Sequence, residues 1–169
     1  VLLCSAGGQA VRFQTSEKQL RASGRQSRGV KSMGMREGDT IADMFVIVGK
    51  PGREAAAGAG DDGAEGAVGG DDEDDGQKLV AVTQRGYGKR MRTSLFRCQT
   101  RGGKGVIAIK FKRDDDRLLA LSSCKAPAQE DGVVDDAERE LLLITAKGVT
   151  VRQRLSAISE QGRATTGVL

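Results

Sequence analysis

The chain has 169 residues and a formal net charge of +4, from 27 Lys+Arg and 23 Asp+Glu. It contains no histidine, and its three cysteines lack C-x-x-C spacing, which excludes imidazole chemistry and argues against a structural zinc site or a disulfide scaffold. The charge is uneven: residues 51–77 sum to −8, so the rest of the chain carries +12. A basic body of this kind indicates a polyanionic partner.

The apolar segments are short. The longest uninterrupted apolar run, Met44–Val48, is far too short to cross a membrane, so no membrane partner is expected. Five aromatic residues are too few for a platform that stacks single-stranded bases. Val1 and Leu169 both lie within apolar segments, and we therefore expect the chain to be a fragment of a longer protein.

An internal repeat organises the sequence. Three segments share one plan: Val1–Phe13, Leu79–Met91 and Leu141–Gln153. Each has a short apolar run, then Ser or Thr three residues before a glycine, and an arginine four residues after it. The glycines are Gly8, Gly86 and Gly148, and the arginines are Arg12, Arg90 and Arg152. Short β-prone runs flanking a glycine predict a β-hairpin in each segment.

A second repeated element follows each hairpin and reads R-x-x-x-G-V. We call these three segments the RxxxGV elements: Arg25–Val30, Arg101–Val106 and Arg163–Val168. We expect a positive φ or strained backbone at their glycines, Gly29, Gly105 and Gly167. The next predicted strands are Val30–Met35 and Ile41–Val48 in the first unit, and Val106–Phe111 and Leu118–Ser122 in the second.

These elements predict an all-β fold of the propeller or pinwheel type, because units of about four short strands suit radial repetition. Residues 1–50 and 78–125 are the first and second units, and residues 141–169 are a third, partial unit. Residues 51–77 are rich in glycine and acids, and we expect a disordered insert there. Residues 126–140 form a smaller acidic loop.

The motifs carry a family resemblance. Six motifs follow one another in this order: GQAVRF and RASGRQSRGVKSM, then VTQRGYGKR and QTRGGKGVIAIK, then LLLITAKGVTVRQ and GRATTGV. Together they resemble the C-terminal domain of DNA gyrase A subunits, which belong to the type IIA DNA topoisomerases. Motif order matches the last three of that domain's six repeats, so the units resemble blades 4, 5 and 6. The resemblance implies a six-bladed β-pinwheel that wraps duplex DNA on a basic rim.

The resemblance also implies partners and a setting for the complete protein. That protein would be an ATP-dependent type II topoisomerase that negatively supercoils DNA, using ATP and Mg²⁺. No cofactor is expected for this fragment, which lacks the catalytic tyrosine domain and any ATP site. The expected partners are duplex DNA and, through absent regions, a second A subunit together with the gyrase B subunit. The expected compartment is the bacterial cytoplasm or nucleoid, or a plastid or mitochondrion.

One motif departs from the family pattern. The wrapping motif, the gyrase A box, reads roughly QRRGGKG and belongs to the first blade. Here Gln99–Gly105 reads QTRGGKG within a unit resembling the fifth blade. We interpret it as the homologous loop of a later repeat, which puts the true box upstream. Tyr87 lies in a predicted hairpin turn and is not expected to cleave DNA.

Basic residues at repeated positions are the candidate DNA contacts, because guanidinium and ammonium groups bind phosphate without reading bases. The candidates are Arg25, Arg28, Lys31, Lys89, Arg90, Arg92, Arg97, Arg101, Lys104, Lys110, Arg152, Arg154 and Arg163. For Arg25, Arg101 and Arg163 a structural role within every blade is an equal alternative.

Two alternatives to the gyrase interpretation stay open. Within the family, the chain could belong to the related C-terminal domain of a topoisomerase IV A subunit. In another class, it could be a propeller that serves only as a protein-interaction module. Salt-sensitive DNA binding separates the second alternative from both topoisomerase interpretations.

Overall fold

The computed structural model describes residues 1–47, 77–124 and 139–169. Within these ranges the regular structure is antiparallel β-sheet plus two single-turn 3-10 helices, which confirms the all-β prediction. Apart from Gln77, Arg139 and Glu140, the two predicted acidic inserts lie outside the described residues.

Each unit is built around one β-hairpin. The first unit contains β1 (Leu2–Ser5), β2 (Gln9–Arg12) and β3 (Ile41–Phe45). The second contains β4 (Lys78–Thr83), β5 (Gly88–Arg92), β6 (Val106–Ile107) and β7 (Leu118–Ser123). The third contains β8 (Glu140–Ile144) and β9 (Thr150–Arg154). Thr93–Leu95 and Leu155–Ala157 are the 3-10 helices that follow β5 and β9.

The hairpin turns follow the predicted pattern. Gly8, Gly86 and Gly148 have φ values of 80°, 87° and 80°, and the amide of each donates to the carbonyl of the Ser or Thr three residues earlier. A residue with a side chain rarely adopts such a φ, which explains why glycine recurs at this position.

The sheets are completed by strands swapped from the following unit. The first sheet has the order β3-β1-β2-β6, so its fourth strand comes from the second unit, with Ala10 opposite Val106. The second sheet has the order β5-β4-β7, and Val168 of the third unit bridges Gly88 at the free edge of β5. The third sheet is the β8-β9 hairpin.

This topology corrects two sequence expectations. A unit does not supply all the strands of its own sheet, because the RxxxGV elements of the second and third units pair with the preceding hairpin. The predicted strand at Val30–Met35 does not form, because the described residues contain no preceding hairpin that it could pair with. We call each contact between consecutive units a joint, with a donor RxxxGV element and an acceptor hairpin.

The central strand of the second sheet, β4, is buried on both faces, one towards each neighbouring unit. Leu2 and Cys4 pack against Leu79, Ala81 and other residues of the second unit in one core cluster. On the opposite face of the second hairpin, Val80 and Val82 pack against Leu155 and Ile158 of the third unit. All three cysteines (Cys4, Cys98 and Cys124) are buried free thiols.

Two of the RxxxGV glycines, Gly105 and Gly167, lie against the backbone of the preceding unit. Gly105 and Gly167 have φ values of 82° and 81°, and Gly29 has a φ of 77°, which confirms the predicted positive φ. A Cβ on Gly105 would lie 2.3 Å from the carbonyl oxygen of Ala10, and one on Gly167 would lie 2.7 Å from that of Gly88. Glycine is therefore required at both joints by conformation and by space.

Candidate nucleic-acid interface

Two of the three hairpin arginines donate hydrogen bonds to the next unit. Arg12 Nη1 donates to the carbonyl of Phe96 at 3.0 Å, and Arg90 Nε donates to the equivalent carbonyl of Ile158 at 2.7 Å. Arg152, the third repeat position, instead forms an ion pair with Glu140 of its own hairpin. The guanidinium of Arg90, a candidate DNA contact, is thus engaged in an inter-unit bond.

The RxxxGV arginines make a second repeated bond, directed to the preceding unit. Arg101 Nη1 donates to the carbonyl of Lys31 at 3.0 Å, and Arg163 Nη1 donates to the matching carbonyl of Ile107 at 3.2 Å. Arg101 is also held by the carbonyl of Gln19. The structural alternative therefore applies to Arg101 and Arg163, whereas the side chain of Arg25 is exposed.

Lys89 is not available to DNA, which corrects the prediction for this residue. Its side chain is fully buried, and its Nζ donates to the carbonyls of Gly162 (2.9 Å), Arg163 (2.6 Å) and Thr165 (3.1 Å) and to Thr165 Oγ1 (3.2 Å). Burial, with a smaller contribution from the Arg163 charge, lowers the pKa of Lys89 to about 7. Lys89 therefore ties β5 to the RxxxGV loop of the third unit.

Two further candidates, Arg92 and Arg97, also have interaction partners. Arg92 is exposed but forms an ion pair with Glu160 at 2.7 Å, and Lys78 binds the same carboxylate at 3.0 Å. These two bonds hold the pKa of Glu160 below its usual value. Arg97 is partly buried and has an interaction partner. Neither position offers an uncommitted exposed cation.

Besides the ion-paired Arg92 and Arg152, six candidates are exposed. Within residues 1–47, 77–124 and 139–169, no carboxylate pairs with their side chains. They are Arg25, Arg28, Lys31, Lys104, Lys110 and Arg154. Five of the six lie in or close to the RxxxGV loops of the first two units, whereas the third element carries no exposed cation.

The loops that carry these cations are bonded to one another across the joints. The amide of Gly34 donates to the carbonyl of Gly103, and the amide of Gly102 donates to that of Ser32, so the loops around Lys31 and Lys104 lie together. At the next joint the amide of Lys110 donates to the carbonyl of Thr165. The RxxxGV loops are therefore bonded in a row across three units, and five of the six exposed cations lie on or beside the loops of the first two.

Sequence reasoning missed two carboxylates that order the hairpin turns. Asp39 Oδ1 accepts from the amides of Gly7 (2.8 Å) and Thr40 (2.9 Å). In the second unit, buried Asp116 accepts in the same way from the amides of Arg85 (3.2 Å) and Arg117 (2.9 Å). Both residues precede β3 or β7 by two positions, and that repeated spacing was the signal available in the sequence.

The fold and the surface together define a class: a repeat protein of the β-propeller type whose hairpins exchange strands and whose inter-unit loops are basic. The chain matches the family model for the DNA gyrase C-terminal domain, a beta-propeller, over residues 1–47, 77–125 and 139–169. These ranges make up most of the chain, and it therefore belongs to the DNA gyrase C-terminal domain family.

Curated relatives agree with this assignment. The chain is 39% identical over 175 residues to the DNA gyrase A subunit of Synechocystis sp., a match that covers 99% of this chain and 19% of that relative. It is 30% identical over 168 residues to the DNA gyrase A subunit of Streptomyces coelicolor, with 99% and 15% covered. The chain thus spans about a fifth or less of the length of these relatives.

Solved structures share the fold. The C-terminal domain of DNA topoisomerase IV superposes with a TM-score of 0.69 at 22% identity, over 99% of this chain and 41% of that one. The E. coli ParC C-terminal domain superposes with a TM-score of 0.62 at 19% identity, over 99% and 54%. In the described part of the chain, no helix is long and apolar enough to cross a membrane.

Proposed function

We propose that this chain binds and bends duplex DNA without sequence specificity, as part of the DNA-wrapping domain of a gyrase A subunit. The observation that carries the proposal is the connected row of RxxxGV loops. Five of the six exposed cations that no described carboxylate neutralises lie in or close to this row. Phosphate contacts of this kind position a duplex and carry no base information. Any sequence preference comes from the bendability of the DNA.

The complete protein, in this proposal, is a type II topoisomerase that uses ATP and Mg²⁺ to introduce negative supercoils. This chain supplies no catalytic residue to that reaction; other regions engage a second A subunit together with the gyrase B subunit. The relatives are bacterial gyrase A subunits, which favours an intracellular site of action. A bacterial nucleoid, a plastid or a mitochondrion fits this function.

The topoisomerase IV alternative is supported by the fold alone, since its C-terminal domains are the structural neighbours at 22% and 19% identity. The curated relatives, at higher identity, are gyrase A subunits. We therefore retain gyrase as the proposal.

A salt titration of binding to a fluorescent duplex of several helical turns tests the proposal. Each neutralised phosphate contributes about −0.9 to the log–log slope, so six contacts give a slope of about −5. Replacing Arg25, Arg28 and Lys31 together by alanine is expected to flatten the slope by about three.

The matched control is the Arg85→Ala/Arg113→Ala double variant, which removes exposed arginines that pair with Asp115. Its slope is expected to stay close to that of the unmodified chain. A salt-independent affinity, or equal slopes for the triple variant and the unmodified chain, contradicts the proposal and favours a protein-interaction module.

A further inference from the structure

The RxxxGV loop of the third unit has no exposed lysine or arginine, but a lysine of the second unit lies directly beneath it. The side chain of Lys89 is fully buried. Its Nζ is within hydrogen-bond distance of the carbonyl oxygens of Gly162, Arg163 and Thr165. Three peptide oxygens of one loop therefore converge on a single nitrogen atom.

Converging carbonyls turn the amides of the same peptide units away from Lys89. In a trans peptide the N–H lies opposite the C=O, and the described residues contain no cis peptide bond. The amides opposite these three carbonyls belong to Arg163, Ala164 and Thr166. Among the described residues, those of Ala164 and Thr166 donate to no protein acceptor. The outer side of the loop thus presents backbone donors, an arrangement that binds anions in turns.

The outer side of this loop is as open as that of the matching loop at which the chain continues. Residues 163–167 are partly exposed. The matching residues 101–105 of the second unit are also partly exposed, apart from the more exposed Lys104, although further strands of that unit follow them. Access to the amides is therefore a property of the loop and does not depend on the position at which the sequence ends.

Two opposing effects make the protonation of Lys89 sensitive to a nearby charge. A protonated lysine has three donors, and Nζ faces four oxygens including Thr165 Oγ1, so the contacts favour the protonated form. Burial favours the neutral form and, with a smaller contribution from the Arg163 charge, lowers the pKa of Lys89 to about 7. Neither form is strongly preferred near neutral pH.

The other charged groups of the second joint do not neutralise Lys89. On β5 and β4 the cations are engaged elsewhere, and on the third unit Glu160 accepts from two of them. The charged groups are Arg90, bonded to the carbonyl of Ile158; Arg92 and Lys78, bonded to Glu160; Arg163, bonded to the carbonyl of Ile107; and exposed Lys110. Among the described residues, no carboxylate pairs with Lys89. An anion held by the outward amides would therefore supply the missing negative charge.

We propose that the outward amides of this loop bind a phosphate group of duplex DNA, and that Lys89 takes up a proton from the solvent when they do so. This inference rests on the proposed function, and it gives a loop without exposed cations a place in the DNA path. The phosphate lies about 8 Å from Nζ, the span of one peptide unit and two hydrogen bonds. At that distance its charge favours the protonated form of Lys89.

Calorimetric titration of the chain with a short duplex at pH 8, in Tris and in HEPES at equal ionic strength, tests the proposal. The proton that Lys89 takes up is released by the buffer, whose ionisation enthalpy adds to the measured heat. The heats in the two buffers are expected to differ by the equivalent of about half a proton per bound chain. The affinity is expected to fall about fivefold between pH 7 and pH 9.

Two variants assign the proton to Lys89. Lys89→Met is expected to bind the duplex with equal heats in the two buffers and with no fall in affinity between pH 7 and pH 9. Lys112→Met is the matched control, since it removes an exposed lysine of the second unit and is expected to keep the buffer difference. Thermal unfolding checks that both variants are folded, and the buffer comparison on the unmodified chain requires neither of them.

Sodium sulfate, an oxyanion that does not titrate at pH 8, distinguishes a DNA phosphate from a free anion. Proton uptake with the duplex alone assigns the site to the DNA backbone, and uptake with both assigns it to tetrahedral oxyanions in general; either result supports the site. Duplex binding with equal heats in the two buffers, or a buffer difference that persists in Lys89→Met, overturns the inference and leaves the proposed function intact. A chain that binds no duplex overturns both.

Discussion

The two internal joints have the same topology but are secured by different chemistry. At the first joint, the RxxxGV loop is held by Gln19, whose side-chain oxygen accepts from the amide of Arg101 and whose carbonyl accepts from its guanidinium. At the second joint, the buried Nζ of Lys89 is within hydrogen-bond distance of four oxygens of the loop. The residue matching Lys89 at the first joint is Val11, which is also fully buried.

Comparison of the joints separates what the fold requires from what it tolerates. The glycine with positive φ, the arginine bond to a preceding carbonyl and the hairpin arginine bond to a following carbonyl occur at both joints. The side chain that binds the loop differs, being that of Gln19 at the first joint and that of Lys89 at the second. Backbone geometry is therefore the constant part of the joint.

The largest expected loss of stability comes from replacing the positive-φ glycine that both joints share. Gly105→Val is expected to lose about 1–3 kcal/mol of unfolding free energy through its φ and a further amount of about 1–3 kcal/mol through the clash with Ala10. Gly167 has nearly the same φ, and a Cβ there would lie slightly farther from the facing carbonyl oxygen. Gly167→Val is therefore expected to lose less unfolding free energy than Gly105→Val. Urea unfolding measures both. A side chain on Gly38 would meet open space, so Gly38→Val is expected to lose unfolding free energy through its φ alone. An equal loss in all three variants would show that the close contact with the preceding hairpin has no energetic effect.

Removing a hairpin arginine comes next. Arg90→Ala is expected to cost about 1.5–3 kcal/mol, the range for a hydrogen bond to a charged group, because the carbonyl of Ile158 loses its donor. Arg12→Ala is expected to cost a similar amount at the first joint. Thermal unfolding provides the measurement, with Arg154→Ala as an exposed control that is expected to change stability by less than about 0.5 kcal/mol. A cost for Arg90 as small as for Arg154 would make the bond energetically irrelevant.

The pH dependence of stability distinguishes the two joints. Lys89 has a folded-state pKa of about 7 against an ordinary value of 10.5, so between these values the unfolded chain binds a proton that the folded chain does not. Unfolding free energy is therefore expected to rise with pH across this window, by up to about 1.4 kcal/mol per pH unit. Lys89→Met is expected to remove that rise, whereas Lys110→Met, at an exposed lysine, should keep it.

The smallest expected effect is on the salt dependence of DNA binding, and it distinguishes Lys104 from Arg101 of the same loop. Lys104→Ala is expected to flatten the salt dependence of DNA binding by about one and to leave stability unchanged. Arg101→Ala is expected to do the reverse, destabilising the first joint with little change in the slope, because its guanidinium binds two carbonyls. Paired unfolding and DNA titrations of both variants measure this; if Arg101→Ala flattens the slope as much as Lys104→Ala, its arginine also contacts phosphate.

Local features of the fold could be predicted from the sequence, whereas the way units connect could not. Glycine spacing and flanking β-prone runs predicted the hairpins and the positive φ of Gly29, Gly105 and Gly167, because both are determined within a few residues. The same repeat sequence is compatible with an RxxxGV element that pairs with its own hairpin and with one that pairs with the preceding hairpin. The strand swap therefore required tertiary information.

The same limit applied to the basic residues. Charge and repeat position could not distinguish a lysine in solvent from one enclosed by carbonyls of another unit. A local signal was present, however: Lys89 is two residues before buried Met91, and alternate residues of a strand share a face. Exposed Lys104 and partly buried Arg101 lie three residues apart, and only the loop geometry separates their roles.

Strand exchange also delays completion of the first sheet while the chain is being synthesised. The edge of β2 receives its partner only when Val106 and Ile107 have been made, although β2 itself ends at Arg12. At ribosomal rates of about 5–20 residues per second, that edge waits roughly 5–20 s for its strand. During that interval the nascent hairpin presents an open β-edge, the feature through which chains aggregate. We therefore expect recovery of soluble chain to depend on chaperone capacity more than its modest size suggests.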